Sequence, residues 1–132
     1  MKFVLTILSS VLLTCGSLFA QQQEEQDVFV PIAKYIQNGD AERLSAWFAH
    51  SLEIDILGTV NVSSKNQAKQ VLKDFFSNYT PKTFTIVHKS GKVPMKYAVG
   101  NLSAGGSVFR VTLFVKIQPE GNSIQSLRIE RE

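Results

Sequence analysis

The chain has 132 residues, with 14 Lys and Arg against 11 Asp and Glu and a formal net charge of +3. That is the length of one domain, and the charge is too mild to indicate nucleic acid or a membrane surface as partner. The single cysteine, Cys15, lies in an apolar leader, so the rest of the chain excludes disulfides, thiol nucleophiles and cysteine-ligated metal; the two histidines, His50 and His88, exclude an all-histidine metal site. No cofactor motif is present, and neither a metal nor a cofactor is expected.

Residues 1–20 read as an export signal. Lys2 precedes an apolar run through Leu13, shorter than the ~20 residues that span a bilayer, and Phe19-Ala20 stands before Gln21-Gln22-Gln23. Cleavage near Ala20 predicts a periplasmic or secreted protein without a transmembrane segment. Leu12-Leu13-Thr14-Cys15 also resembles a lipoprotein box, so lipidation at Cys15 is the alternative. Residues 21–26 are expected to be a disordered lead-in, and residues 27–132 a single domain.

Asp27 can cap a first helix with Val28, Phe29, Ile32, Tyr35 and Ile36 on one stripe, stopped by Asn38-Gly39. Asp40 caps a second, shorter helix carrying Ala41, Leu44, Trp47 and Phe48 at helical spacing. A strand is predicted over 53–57, ended by Gly58. Ser64 and Gln67 form a capping box for the longest helix, with Ala68, Val71, Leu72, Phe75, Phe76 and Tyr79 on one face and Pro81 beyond its end. Four strands are then predicted, over 83–89, 95–103, 107–117 and 123–130, joined by turns at Ser90-Gly91-Lys92, Gly105-Gly106 and Glu120-Gly121-Asn122. The resulting class is α+β, with three N-terminal helices on a curved antiparallel sheet.

The spans Ile36–Leu57, Ala68–Phe76, Phe84–Gly91, the Phe109-Arg110 pair and Leu127-Arg128-Ile129-Glu130 resemble a family of small secreted bacterial proteins of unknown function. That family is similar in fold to the nuclear-transport-factor-2-like, ketosteroid-isomerase-like superfamily, a cystatin-like cone of sheet wrapped on a long helix. The resemblance covers nearly all of the chain after the leader. It implies the fold and no activity, because the superfamily includes isomerases, dehydratases, transport adaptors and assembly modules.

If Gly105-Gly106 are the central turn residues, Leu102 pairs with Phe109, Gly100 with Val111, Ala98 with Leu113 and Lys96 with Val115. This face is expected to lie under the helices, where Ala98 and Gly100 leave room for packing or for a pocket. The opposite face carries Met95, Tyr97, Val99, Asn101, Val108, Arg110, Thr112, Phe114 and Lys116. A half-apolar face without helices above it predicts a homodimer.

Proton-transfer chemistry in such a cone requires a carboxylate or histidine beside an oxyanion-stabilising group. Between Asp74 and Glu120 there is no acid, so Glu53, Asp55, Glu130 and His88 are the acid–base groups near the sheet. His88 is expected to share a strand face with Phe84 and Ile86 at a pocket wall. The candidates for catalysis are His88 or Asp55 with Tyr35 or Tyr97, and no superfamily catalytic residue can be transferred to this chain.

The acid-free interval concentrates positive charge, which favours an anionic ligand with Arg110, Lys96 and His88 as candidate contacts, while the cone itself suits a small hydrophobic one. Few stacking aromatics accompany the lysines, which argues against nucleic acid. The favoured reading is an exported, non-enzymatic ligand-binding or assembly module, and a small lyase or isomerase is the alternative.

Overall fold

Residues 27–132 are described by the computed structural model, so the expected export leader, the lipidation site at Cys15 and the lead-in at 21–26 lie outside the described residues. The description begins at Asp27, whose carboxylate accepts the Phe29 N–H at 2.9 Å. Helix α1, Phe29–Gln37, buries Phe29, Ile32 and Ile36 on its apolar stripe. Gly39, at φ 66°, takes the left-handed conformation that ends the helix, and its N–H donates to the Ile36 carbonyl. Asp40 then caps helix α2, Ala41–Ser45, by accepting the Arg43 N–H at 3.0 Å.

Helix α2 is shorter than expected. It stops before Trp47, and Phe48 opens strand β1, Phe48–Ile56, instead of continuing the helix. The four apolar positions from Ala41 to Phe48 satisfy helical spacing, but so short a run cannot separate a helix from a buried strand start. Leu57 and Gly58, at φ 53° and 92°, form the tight turn into strand β2, Thr59–Ser64. β2 has no counterpart among the predicted elements. Its valines are exposed and Ser63 is its one buried residue, so backbone pairing with β1, not burial of an apolar face, makes it a strand.

Ser64 and Gln67 complete the predicted capping box, each bond at 3.2 Å, and start helix α3, Lys65–Asn78. Strands β3, Pro81–Lys92, β4, Met95–Ala104, β5, Ser107–Lys116, and β6, Ser123–Arg131, follow. The first turn of this series is displaced. Gly91 pairs with Lys96 and Lys92 with Met95, so the chain reverses at Val93-Pro94 and not at Ser90-Gly91-Lys92.

The six strands form one curved sheet in the order β2-β1-β6-β5-β4-β3. The sheet is mixed and not purely antiparallel, because β1 and β6 run parallel. The reason is connectivity: α3 carries the chain across the sheet after the β1–β2 hairpin, and β6 returns to lie between β1 and β5. The β4–β5 register agrees residue by residue with the one expected from Gly105-Gly106, whose φ values of 56° and 82° suit a two-residue hairpin turn.

The helices cover one face. Leu72, Phe75 and Phe76 of α3 and Ile32 and Ile36 of α1 join Leu102, Phe109, Val111, Leu113, Leu127 and Ile129 in one core. The space beside Gly100 holds packing and no pocket: a Cβ there would stand 2.5 Å from Cζ of Phe84. The glycine is therefore the seat of an aromatic ring supplied by the neighbouring strand.

Candidate functional site

The face of the sheet away from the helices is built by alternation on β3 to β6. Tyr97 of β4 and Phe114 of β5 are register partners, and their rings stack with centroids 5.4 Å apart and planes 15° apart. Phe114 is 39% exposed. His88 joins them from β3, its ring centroid 5.7 Å from that of Tyr97.

This position of His88 corrects the expectation from alternation. The β3–β4 register shifts between Ile86, which pairs with Gly100, and His88, which pairs with Val99. Val87 is the extra residue of a β-bulge, and one inserted residue exchanges the faces of everything after it. His88 therefore lies on the open face, exposed, and not with Phe84 and Ile86. The same shift places Lys89 opposite Ala98, on the helix-covered side.

The other candidates separate. Asp55 on β1 accepts the Gly58 N–H at 3.2 Å and pairs with Arg128 at 3.4 Å, so its carboxylate is engaged within the β1–β6 ladder. Arg110 on β5 pairs with Glu132 at 3.5 Å. Tyr35 of α1 packs against the core on the far side of the sheet from Tyr97. Of the proposed acid–base and phenol groups, His88 and Tyr97 come together; Asp55 and Tyr35 join neither.

Lys96 belongs to a different place. At the rim of the helix-covered side, the start of α1, the β3–β4 hairpin and the loop between β5 and β6 enclose a cleft of about 560 Å³. Val28, Val93 and Ile117 give it apolar walls, and Lys89, Lys96, Asp27 and Asn122 give it polar ones. Lys89 donates to Asp27 as an ion pair, whereas Lys96 has no ion-pair partner among the described residues. Burial acts to raise the Asp27 carboxyl, but the Lys89 hydrogen bond, the Phe29 N–H and the charges of Lys89 and Lys96 outweigh it and hold the group below its ordinary value.

In the sequence, Asp27 reads only as a helix cap and Asn122 only as a turn residue. The signal that leads to the cleft is the acid-free interval itself, since any carboxylate that answers Lys89 must come from outside it. Among the described residues, no three His, Cys, Asp or Glu side chains converge as a metal site, and no helix is long and apolar enough to cross a membrane.

Comparison with known proteins supports the fold and names a family. A family protein from Bacteroides uniformis superposes with a TM-score of 0.76 at 20% identity, over 80% of this chain and 98% of that one. A protein of the NTF2-like family from Streptomyces avermitilis gives 0.58 at 14%, over 76% and 88% of the two chains. A domain of unknown function with a cystatin-like fold from Nostoc punctiforme gives 0.61 at 12%, over 76% and 70%. At these identities the likeness is one of fold alone. No curated protein matches the chain. The sequence profile of the family described as domain of unknown function DUF4783, which is also the family of the Bacteroides protein, matches residues 29–130, and the chain belongs to that family.

Proposed function

We propose that the protein is an exported, non-enzymatic assembly module that pairs with a second copy of itself through the open face of the sheet. The observation that carries this reading is the Tyr97–Phe114 stack, with Phe114 39% exposed and Met95 beside it at 40%, and with Val108 at 51% farther along β5, on a face with no helix above it among the described residues. Area is adequate. Ten residues of β5 extend about 34 Å, and six strands about 24 Å across, so one copy offers roughly 800 Å², the amount each partner buries in a standard interface.

Charge supports a two-fold arrangement. Glu53 stands on β1, at one side of the face, beside an Asp55 that Arg128 already pairs, while Lys92 and Lys116 flank Met95 on the acid-free strands at the other. Two copies related by a two-fold axis near β5 and β6 bring each acidic side over the other's basic side. Export is proposed from the leader sequence alone.

Light scattering at micromolar protein tests the pairing. The expected mass is that of two chains, falling to one chain in Phe114→Asp, which puts a charge in the aromatic stack of the face; a one-chain mass for the unaltered protein overturns the proposal. A lyase or isomerase is the second reading, favoured by the contact of His88 with Tyr97. It is opposed by the exposure of His88 and by the engagement of Asp55 with Arg128.

A further inference from the structure

The cleft at the rim of the helix-covered side has a chemistry independent of the open face. We propose that it is a binding site for a small monoanion with an apolar body, a carboxylate, whose charge is met by Lys96. Its volume of about 560 Å³ lies within the ~300–1,000 Å³ of small-molecule sites. The charge count selects the ligand's valence. Two lysines and one aspartate line the cleft, leaving one positive charge to be met. Because Asp27 already neutralises Lys89, that charge is the Lys96 ammonium.

Lys96 is also placed where it cannot easily satisfy itself. On β4 it is two residues from fully buried Ala98 and opposite fully buried Val115, so its stem starts on the helix-covered side and its side chain lines the cleft. It is half-buried, and no carboxylate among the described residues lies within ion-pair distance. A half-desolvated cation facing apolar walls favours an anion that brings its own apolar surface. Val28, Val93 and Ile117 supply those walls, and the Asn122 amide at the rim supplies a hydrogen-bonding group. A dianionic phosphate ester exceeds the available charge, and the nearby Asp27 carboxylate repels the excess.

The test is an amide NMR titration of the full exported chain with phenylacetate, with phenylacetamide as its uncharged equivalent and phenyl phosphate as the dianion. Phenylacetate is expected to give saturable shifts at Gly91 and Asn122, with the amide and the phosphate each about tenfold weaker. Lys96→Met weakens phenylacetate about tenfold, Asp27→Asn strengthens it severalfold by removing the repelling carboxylate, and Lys82→Met, far along β3, leaves it within about twofold. Lys96→Gln is read beside Lys96→Met, with amide dispersion as the check on folding, so that lost binding is not mistaken for lost structure. Equal binding of acid and amide, indifference to both Lys96 variants, tighter binding of the phosphate, or shifts centred on Tyr97 and Phe114 overturns the proposal. Glu24 and Glu25 stand just before Asp27 in the sequence. Glu24→Gln/Glu25→Gln is expected to leave phenylacetate affinity within about twofold, and a rise beyond that assigns the cleft to the chain's own acids and overturns the proposal.

Discussion

Strands β4 and β5 present two faces in one register, and both faces carry apolar side chains. Toward the helices, Ala98, Leu102, Phe109, Val111, Leu113 and Val115 are each shielded from solvent, whereas Met95, Val108 and Phe114 on the other side remain well exposed. Apolar composition alone does not decide which face becomes the core. The helices decide it, since α1 and α3 bring their own buried stripes to one side. Equivalent side chains thus contribute to folding on one face and are available for association on the other.

Truncating neighbours on opposite faces separates the two roles most directly. Leu113→Ala is expected to cost ~2–5 kcal/mol in urea unfolding, the range for a fully buried leucine that leaves a cavity. Phe114→Ala, one residue later, is expected to cost under ~1 kcal/mol per folded chain while weakening self-association. If both variants lose the same folding stability at a protein concentration below association, the two faces are energetically equivalent and the distinction fails.

A finer contrast uses the next pair of strand neighbours. Gly100→Ala places a Cβ 2.5 Å from Phe84 Cζ and 2.9 Å from the Thr85 carbonyl oxygen, so the aromatic ring must leave its seat. The expected cost is ~1–3 kcal/mol, as for other overpacked cores. Asn101→Ala on the open face is expected to stay within ~0.5 kcal/mol. Thermal unfolding of the two variants separates them, and a neutral Gly100→Ala shows that Phe84 has an alternative rotamer with equal packing.

Much of this architecture is legible in the sequence where a local rule admits one answer. The capping residues Asp40, Ser64 and Gln67 and the paired glycines at 105 and 106 set helix starts and the β4–β5 register, because each acts through its own backbone neighbourhood. The parallel pairing of β1 with β6 is not legible in this way, since it joins segments separated by a helix and four strands. Nor is the bulge at Val87, where no glycine or proline marks the inserted residue and its effect is to exchange the faces of His88 and Lys89. The candidate site shows the same division. Lys96 and Arg110 stand out as cations in an acid-free interval, but the cleft draws its walls from three distant segments, so Asp27 and Asn122 carry no sequence signal for it.

A smaller effect than either core substitution tests the rim of the covered face, where the bulge delivers Lys89 to Asp27. The carboxylate accepts the Phe29 N–H and the Lys89 ammonium, and its pKa lies below the ordinary value of 3.8. A group depressed on folding stabilises the folded state above its unfolded pKa, and the contribution disappears as pH falls through the lower folded value. Asp27→Asn is therefore expected to cost up to ~1 kcal/mol near neutral pH, combining a weakened helix cap with an ion pair discounted for its solvent exposure. As pH is lowered through the carboxylate range, the electrostatic part of the gap between the two proteins should close, leaving the hydrogen-bonding difference between Asn and protonated Asp. Urea titrations across that range measure it. A gap that keeps its full size in acid assigns the stabilisation to the cap alone, and with it removes Lys89 from the interactions that hold the rim of the cleft.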